Sequence, residues 1–295
     1  MSWTKKIIDF AVVRADADDK KTTSNAPYSY GRWLHLILDS RNLSPDLLQK
    51  ITLTYSQARL LYNACNASIQ INRANLAMAE DLDEELAPAF SALHFPTEGL
   101  FVRLDACSPK DGAQKVPGKA SLHSAAEIIL RLVTSGRCRT ALEDCLNASI
   151  PVELFFLPFD KRMASESEFR VFCRPEDCRI TGISQYCWHK RWRHACFSGD
   201  EQDRIIEQVV LEAQKLRAQI LADVKGKDKT DKLIMEQGMS FDILYDEQAH
   251  GVELVELNPF GIRSPCGSCL FQWIRDREVL YDERDKRTIE YRVSW

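Results

Sequence analysis

This chain of 295 residues is missing most of the marks that assign a protein to a class at a glance. No run approaches the roughly 18 consecutive apolar residues of a membrane-spanning helix, so no membrane association is expected. The opening stretch from Met1 to Phe10 carries Lys5 and Lys6 but no long apolar core before Asp9, so no secretory leader is read there. Without a leader, the ten cysteines are expected as reduced thiols in a cytosolic or nuclear setting. Charge of one sign is not in excess. A formal net charge of -4 gives no bulk argument for nucleic acid as a partner. There is no internal repeat, and the patterns GxxxxGKS/T, GxGxxG, HExxH and GxSxG are all absent. Any nucleotide is therefore held by something other than a Walker loop or a dinucleotide fingerprint.

What remains is an ordinary globular composition, 45% hydrophobic and 28% charged, long enough for one large domain or two modest ones. Residues 14–29 are polar and read as loop. From Tyr30 to Leu93 the signals are helical. Ser44 precedes Pro45 in a capping arrangement, and Tyr55 to Met78 reads as one helix of five or six turns. The texture changes near Pro96. Leu100 to Leu104 is a strand, Ala125 to Val133 is helix or strand, and Val152 to Leu157 is a strand ended by Pro158. Glu168 to Cys173 alternates by two, with Arg179 to Tyr186 as its hairpin partner. Ser198 and Glu201 form a capping-box pattern that opens a helix to about Val224, with Ile205, Val209, Leu216 and Ile220 as its core stripe. Lys225 to Lys232 is a charged loop. Strands, a helix and more strands make the fold class α+β.

The most informative segment comes last. Phe241 to Asp246 and Glu253 to Phe260 read as two strands joined by a turn at Glu247 to Gly251. Glu256 and Asn258 are two apart and share a face, and Asp242 on the first strand can reach that face. Two carboxylates and an amide oxygen are hard ligands suited to Mg²⁺ held together with phosphate. Solvent-facing polar positions on an antiparallel sheet would look the same.

Arg103 and Lys110 put one cation inside the Leu100–Leu104 strand and another in the loop after it. Phosphate could partner Arg103, as could a structural ion pair. Arg170 shares a face with Glu168, so it either pairs with Glu168 at the surface or reaches a polyphosphate. Cys266-Gly267-Ser268-Cys269 is a single CxxC, short of the two pairs that make a zinc site, and reads as ordinary thiols. A zinc-stabilised interaction protein remains a third functional class. Gln185 to His194 interleaves basic and aromatic residues, and reads as a hairpin end packed on the next helix rather than a nucleic-acid grip.

Several of these segments resemble one known family. Val102-Arg103-Leu104-Asp105-Ala106-Cys107-Ser108-Pro109-Lys110-Asp111, Glu168-Phe169-Arg170-Val171-Phe172, Ile183-Ser184-Gln185, Phe241-Asp242-Ile243, Leu257-Asn258-Pro259-Phe260 and Leu270-Phe271-Gln272-Trp273 are similar, in this order, to motifs of the cell division cycle protein 123 family. The resemblance covers about residues 100 to 275. It implies an ATP-grasp-like fold of two lobes binding ATP and Mg²⁺; the helical N-terminal region read above lies outside it, and residues 1–95 lack the family's usual opening. The division it implies is residues 1–95, a first lobe at 96–157 and a second lobe at 158–295. It implies an assembly chaperone for translation initiation factor 2 that binds the factor's gamma subunit, monomeric and cytoplasmic. An ATP-grasp ligase or phosphotransferase is the alternative.

Carried over by motif, Asp242, Glu256 and Asn258 would hold Mg²⁺. Arg103 and Lys110 would serve the phosphates with Arg170, and Phe156, Leu157 and Phe159 would form the hinge around the adenine. Three positions depart from the family pattern. Arg103 stands where lysine is usual, Glu256 where Asp is usual, and Leu157-Pro158-Phe159 where the hinge is usually cationic.

Overall fold

The computed structural model describes residues 2–9, 29–163, 165–224, 229–262, 264 and 266–295. In chain order its elements are β1 (Ser2–Ile8), α1 (Tyr30–Ser40), β2 (Gln49–Leu53), α2 (Tyr55–Ser68), α3 (Ala79–Asp81), β3 (Leu100–Leu104), α4 (Ala125–Val133), α5 (Gly136–Ala148), β4 (Val152–Pro158), β5 (Glu168–Cys173), β6 (Ile180–Gln185), α6 (Gly199–Asp223), α7 (Lys229–Gln237), β7 (Met239–Asp246), β8 (Gly251–Pro259), α8 (Arg277–Leu280) and β9 (Thr288–Ser294). Mixed helices and sheets make it α+β, as read. The polar segment at 14–28 and the charged residues 225–228 lie outside the described residues.

The chain divides into two units. One holds Trp33–Asn42, Lys161–Trp295 and the first strand. Its sheet has six strands in the order β1-β9-β6-β5-β7-β8. β1, β9 and β6 run parallel, and the pairs from β6 through β5 and β7 to β8 are antiparallel. Helix α6 opens on the Ser198–Glu201 capping box and buries Ile206, Val209, Leu216 and Ile220; Ile205 is only partly covered. The outer strand β8 is protected where Ser40 accepts the Leu254 N–H at 2.9 Å and Arg41 Nε donates to the Leu254 carbonyl at 3.0 Å.

The other unit holds Ser29–Arg32 and Leu43–Asp160. Its antiparallel sheet, in the order β2-β4-β3, has two unlike faces. Val102, Leu104, Leu154 and Phe156 point into a core shared with α2, α4 and α5. Arg103 pairs across from Phe155, and Phe101 from Leu157, so these four occupy the opposite face.

Four readings are corrected. Residues 1–95 are not a region of their own, because β1 pairs with β9 while residues 43–95 pack with the β2-β4-β3 unit. Nor is that stretch all helical: Gln49–Leu53 alternates in burial and pairs with β4. The helix expected from Tyr55 to Met78 stops at Ser68. Asn72 takes a left-handed conformation (φ 49°), and Asn75 caps a separate short turn at Leu76–Met78. The charged loop to Lys232 is helical from Lys229. Ala125–Val133, open between helix and strand, is a helix capped by Ser124.

Candidate functional site

The β7–β8 hairpin forms as read, with its turn at residues 247–250. The sheet register aligns polar residues in a row. Asp242 faces Glu256 on one side and Arg170 on the other, Arg170 faces Ser184, and Ser184 faces Arg292. Directly opposed residues project from the same face, so five side chains from five strands form one line. The ladder slips at Asp242, where Val255 is an extra residue in β8. Such a bulge re-aims the next side chain, here Glu256.

Asp242 and Arg170 meet fork to fork. Arg170 Nε and Nη2 donate to the two Asp242 oxygens at 2.7 Å each, and Arg170 Nη1 donates to the Gly267 carbonyl. The guanidinium lies 5.2 Å over the Tyr186 ring. Asn258 Nδ2 donates to Asp242 Oδ2 at 3.2 Å, and the Cys266 thiol donates to Asn258 Oδ1 at 2.9 Å. Of the two readings left open for Arg170, pairing with Glu168 at the surface does not hold: Arg170 is buried and its carboxylate is Asp242, directly opposite it on the neighbouring strand β7.

Burial raises the Asp242 carboxyl above the usual carboxylate range, and the arginine fork opposes this. Glu256 raises it further through its charge and a direct hydrogen bond. Two carboxylates in contact need a proton or a cation between them. That is the observation by which the donor set fits a hard cation: Glu256 is half-buried, and Asp242 and Asn258 bring oxygens to the same face. Among the described residues, no three His, Cys, Asp or Glu side chains gather as a metal centre. Burial pushes the Cys266 thiol up to about 11 and the Cys269 thiol up to about 12, so both are protonated at neutral pH.

The same polar row holds the segment at residues 266–276 against the sheet. The Leu270 N–H donates to Ser184 Oγ at 3.0 Å, and Arg292 Nη1 donates to the Leu270 carbonyl at 3.0 Å. Arg292 also grips Asp276 with two hydrogen bonds of 2.7 and 2.6 Å and sits 3.9 Å over the Phe271 ring. Phe271 lies against Gly182, where a Cβ would come within 2.8 Å of it. Gln185 ties the next loop, donating to the Cys187 and Lys190 carbonyls at 2.6 Å and accepting from the Ser294 N–H at 3.0 Å. The sequence segments around Arg170, Ser184-Gln185 and Leu270-Phe271 are thus parts of one clamp.

The remaining expected residues lie in the other unit. Arg103 is buried, stacks 4.2 Å over Tyr30, and donates from Nε to the Leu104 carbonyl at 3.3 Å. Lys110 is exposed. The Phe156 side chain is in the hydrophobic core, and its backbone lies in the central strand between Gln49 and Val102, so the residue does not face a ligand. Leu157 shares the Arg103 face, and the Phe159 N–H already donates to the Gly99 carbonyl at 2.9 Å. Asp105 and Asp111, inside the same motif, are caps. Asp105 accepts the Gly31 N–H at 2.8 Å; Asp111 accepts the Ser135 hydroxyl at 2.5 Å and the Arg137 N–H at 3.2 Å.

The basic and aromatic run is engaged internally. Lys190 pairs with Glu166 at 2.6 Å and Arg193 with Glu247 at 3.0 Å, while Trp192 and His194 are buried rather than displayed at a hairpin end. Sequence reasoning missed Tyr186, Gly267, Asp276 and Arg292. It took Cys266 for an ordinary thiol, although the residue touches Asn258. Only the closeness of these residues to the matched motifs could have flagged them.

No protein-family model matches the chain, and no curated protein does. Among solved structures it is similar to Cdc123 from Schizosaccharomyces pombe, with a TM-score of 0.56 and 18% identity over 89% of this chain and 94% of that one. It is likewise similar to C-terminally truncated Cdc123 from the same organism, with a TM-score of 0.56 and 17% identity over 97% and 98%. The fold is therefore Cdc123-like over nearly the whole chain, and the resemblance read from short motifs holds at the level of the fold. No helix of the described residues is long and apolar enough to cross a membrane.

Proposed function

We propose that this protein is a Cdc123-like, ATP-grasp-type assembly factor. It binds ATP with Mg²⁺ at the face carrying Asp242, Glu256 and Asn258, and acts on translation initiation factor 2 through the gamma subunit. The observation that supports this most is the contact of two carboxylates, Asp242 and Glu256, across β7 and β8 in a Cdc123-like fold. A buried arginine holds one of them in place and leaves the half-buried Glu256 as the accessible anion.

In this reading Glu256 is the principal metal ligand, with Asp242 and Asn258 completing the oxygen set. Arg170 orients Asp242. Bound Mg²⁺ supplies charge neutralisation for the phosphate oxygens.

The test is thermal unfolding with ATP and Mg²⁺. Nucleotide at 100 times its dissociation constant stabilises the fold by about 2.7 kcal/mol. Glu256→Gln should keep the unliganded melting temperature and lose most of the shift. Absence of a shift in the wild type removes nucleotide binding from the reading. Affinity purification from cells, wild type against Glu256→Gln, tests the partner, and failure to recover the gamma subunit with the wild type removes that part alone. Release of ADP that depends on a small-molecule acceptor would instead assign a ligase or phosphotransferase.

A further inference from the structure

A second cationic cluster lies within the β2-β4-β3 unit, made of residues that none of the readings above assigns. Helix α4 presents Arg131 in its last turn. The side chain is 6% exposed, so the guanidinium is almost wholly inside the protein. Its Nη2 donates to the Ala120 carbonyl at 3.4 Å, a long bond, and its Nε is buried with no partner. Among the described residues no carboxylate pairs with it within 4.0 Å. The negative end of α4 offsets part of this cost but supplies no anion. Burial pushes the guanidinium below its ordinary value. A buried charge left this way is costly unless something outside the chain completes it.

Arg131 lines a shallow, open surface recess together with Lys115, Lys119, Ser121 and Glu127. The acid does not neutralise the site. One Glu127 oxygen is 3.8 Å from Lys115 Nζ, and the other accepts the His123 N–H at 2.7 Å. Three cations against one carboxylate leave a surplus of two positive charges. Ser121 adds a hydroxyl beside them.

We propose that this recess is a binding site for a dianionic phosphate group, separate from the candidate nucleotide site. Arg131 is the buried anchor, Lys115 and Lys119 close over the anion from the surface, and Ser121 donates to it. The charge balance selects phosphate over a singly charged carboxylate. Nothing in the recess reads a larger ligand, so the group is bound either as the free ion or as the end of a phosphate monoester.

Equilibrium dialysis of the full chain at matched ionic strength tests the site, with radiolabelled inorganic phosphate in one arm and phenyl phosphate in another. The wild type should retain phosphate above a chloride-matched control. Arg131→Leu, and separately the double variant Lys115→Ala/Lys119→Ala, should each weaken binding at least about tenfold, since each removes a charge-assisted hydrogen bond. The lysines are exposed, so the double variant folds even if the Arg131 variant does not. Tighter binding of phenyl phosphate than of phosphate identifies an ester as the ligand, and the reverse identifies the free ion. No retention by the wild type, or undiminished retention by either variant, overturns the proposal. Loss of ATP binding in the Lys115→Ala/Lys119→Ala protein also overturns it, because the recess would then belong to the nucleotide site.

Discussion

Arg170 on β5 and Asp242 on β7 are direct register partners joined by two hydrogen bonds of 2.7 Å, with side chains 4% and 1% exposed. The pair has two consequences. It fixes the Asp242 carboxylate beside Glu256, and it pins the Gly267 carbonyl over the sheet. Asp242 is thus a structural residue as well as a candidate ligand.

Truncating Asp242 should therefore destabilise the protein in the absence of any nucleotide. Asp242→Ala leaves a buried unpaired arginine, and the expected loss is about 3–5 kcal/mol by urea denaturation. The double variant Arg170→Met/Asp242→Leu should recover most of it, because no uncompensated charge remains. Equal losses in the two proteins would show that the pair itself, and not the orphaned charge, carries the stability.

Gly182 allows Phe271 to lie on β6. Gly182→Ala brings a Cβ within 2.8 Å of the ring, and overpacking of this kind should cost about 1–3 kcal/mol. Adding Phe271→Leu should return part of the loss, measured as the shift in chemical denaturation midpoint. If the single variant is as stable as the wild type, the ring has another place to go.

His194 is 2% exposed, ringed by Trp192, Phe197 and Tyr245, with Glu247 3.4 Å from Nε2 and Arg193 next in sequence. Burial lowers its pKa in spite of Glu247. The folded chain then binds fewer protons there than the unfolded chain, so this term costs stability as pH falls through the unfolded value of about 6.5. Denaturation at about pH 7.5 and about pH 5.5 should show a smaller acid loss in His194→Asn than in the wild type. An identical loss would mean that other groups account for it.

Asp111 accepts two hydrogen bonds at the start of α5, one of them from the capping Ser135 hydroxyl. Asp111→Ala should cost about 0.5–2 kcal/mol, the usual worth of a cap. Asp111→Asn should cost less, since the amide oxygen still accepts one of the two. Thermal unfolding without ligand separates the two variants.

Local chemistry made much of this readable. The capping box at Ser198–Glu201 and the acids of β7 and β8 are rules over two to four neighbouring residues, and each appears in the structure; β5 forms as read, but both its faces are buried, so the alternation did not mark a half-buried strand. β2 escaped because Gln49–Leu53 is short and lies between helical signals. The partner of Arg170 escaped because a residue 72 positions away in sequence supplies it.

By itself, then, the amino-acid sequence determined the periodicities, the caps and which residues carry charge, since these depend on a side chain and its near neighbours along the chain. Only the tertiary structure decided that Arg170, Asp242, Glu256, Ser184 and Arg292 form one row, and that Arg131 has no carboxylate partner among the described residues. Strand order and register set those relationships, because they determine which distant residues face each other on a sheet and which charges are taken out of water together.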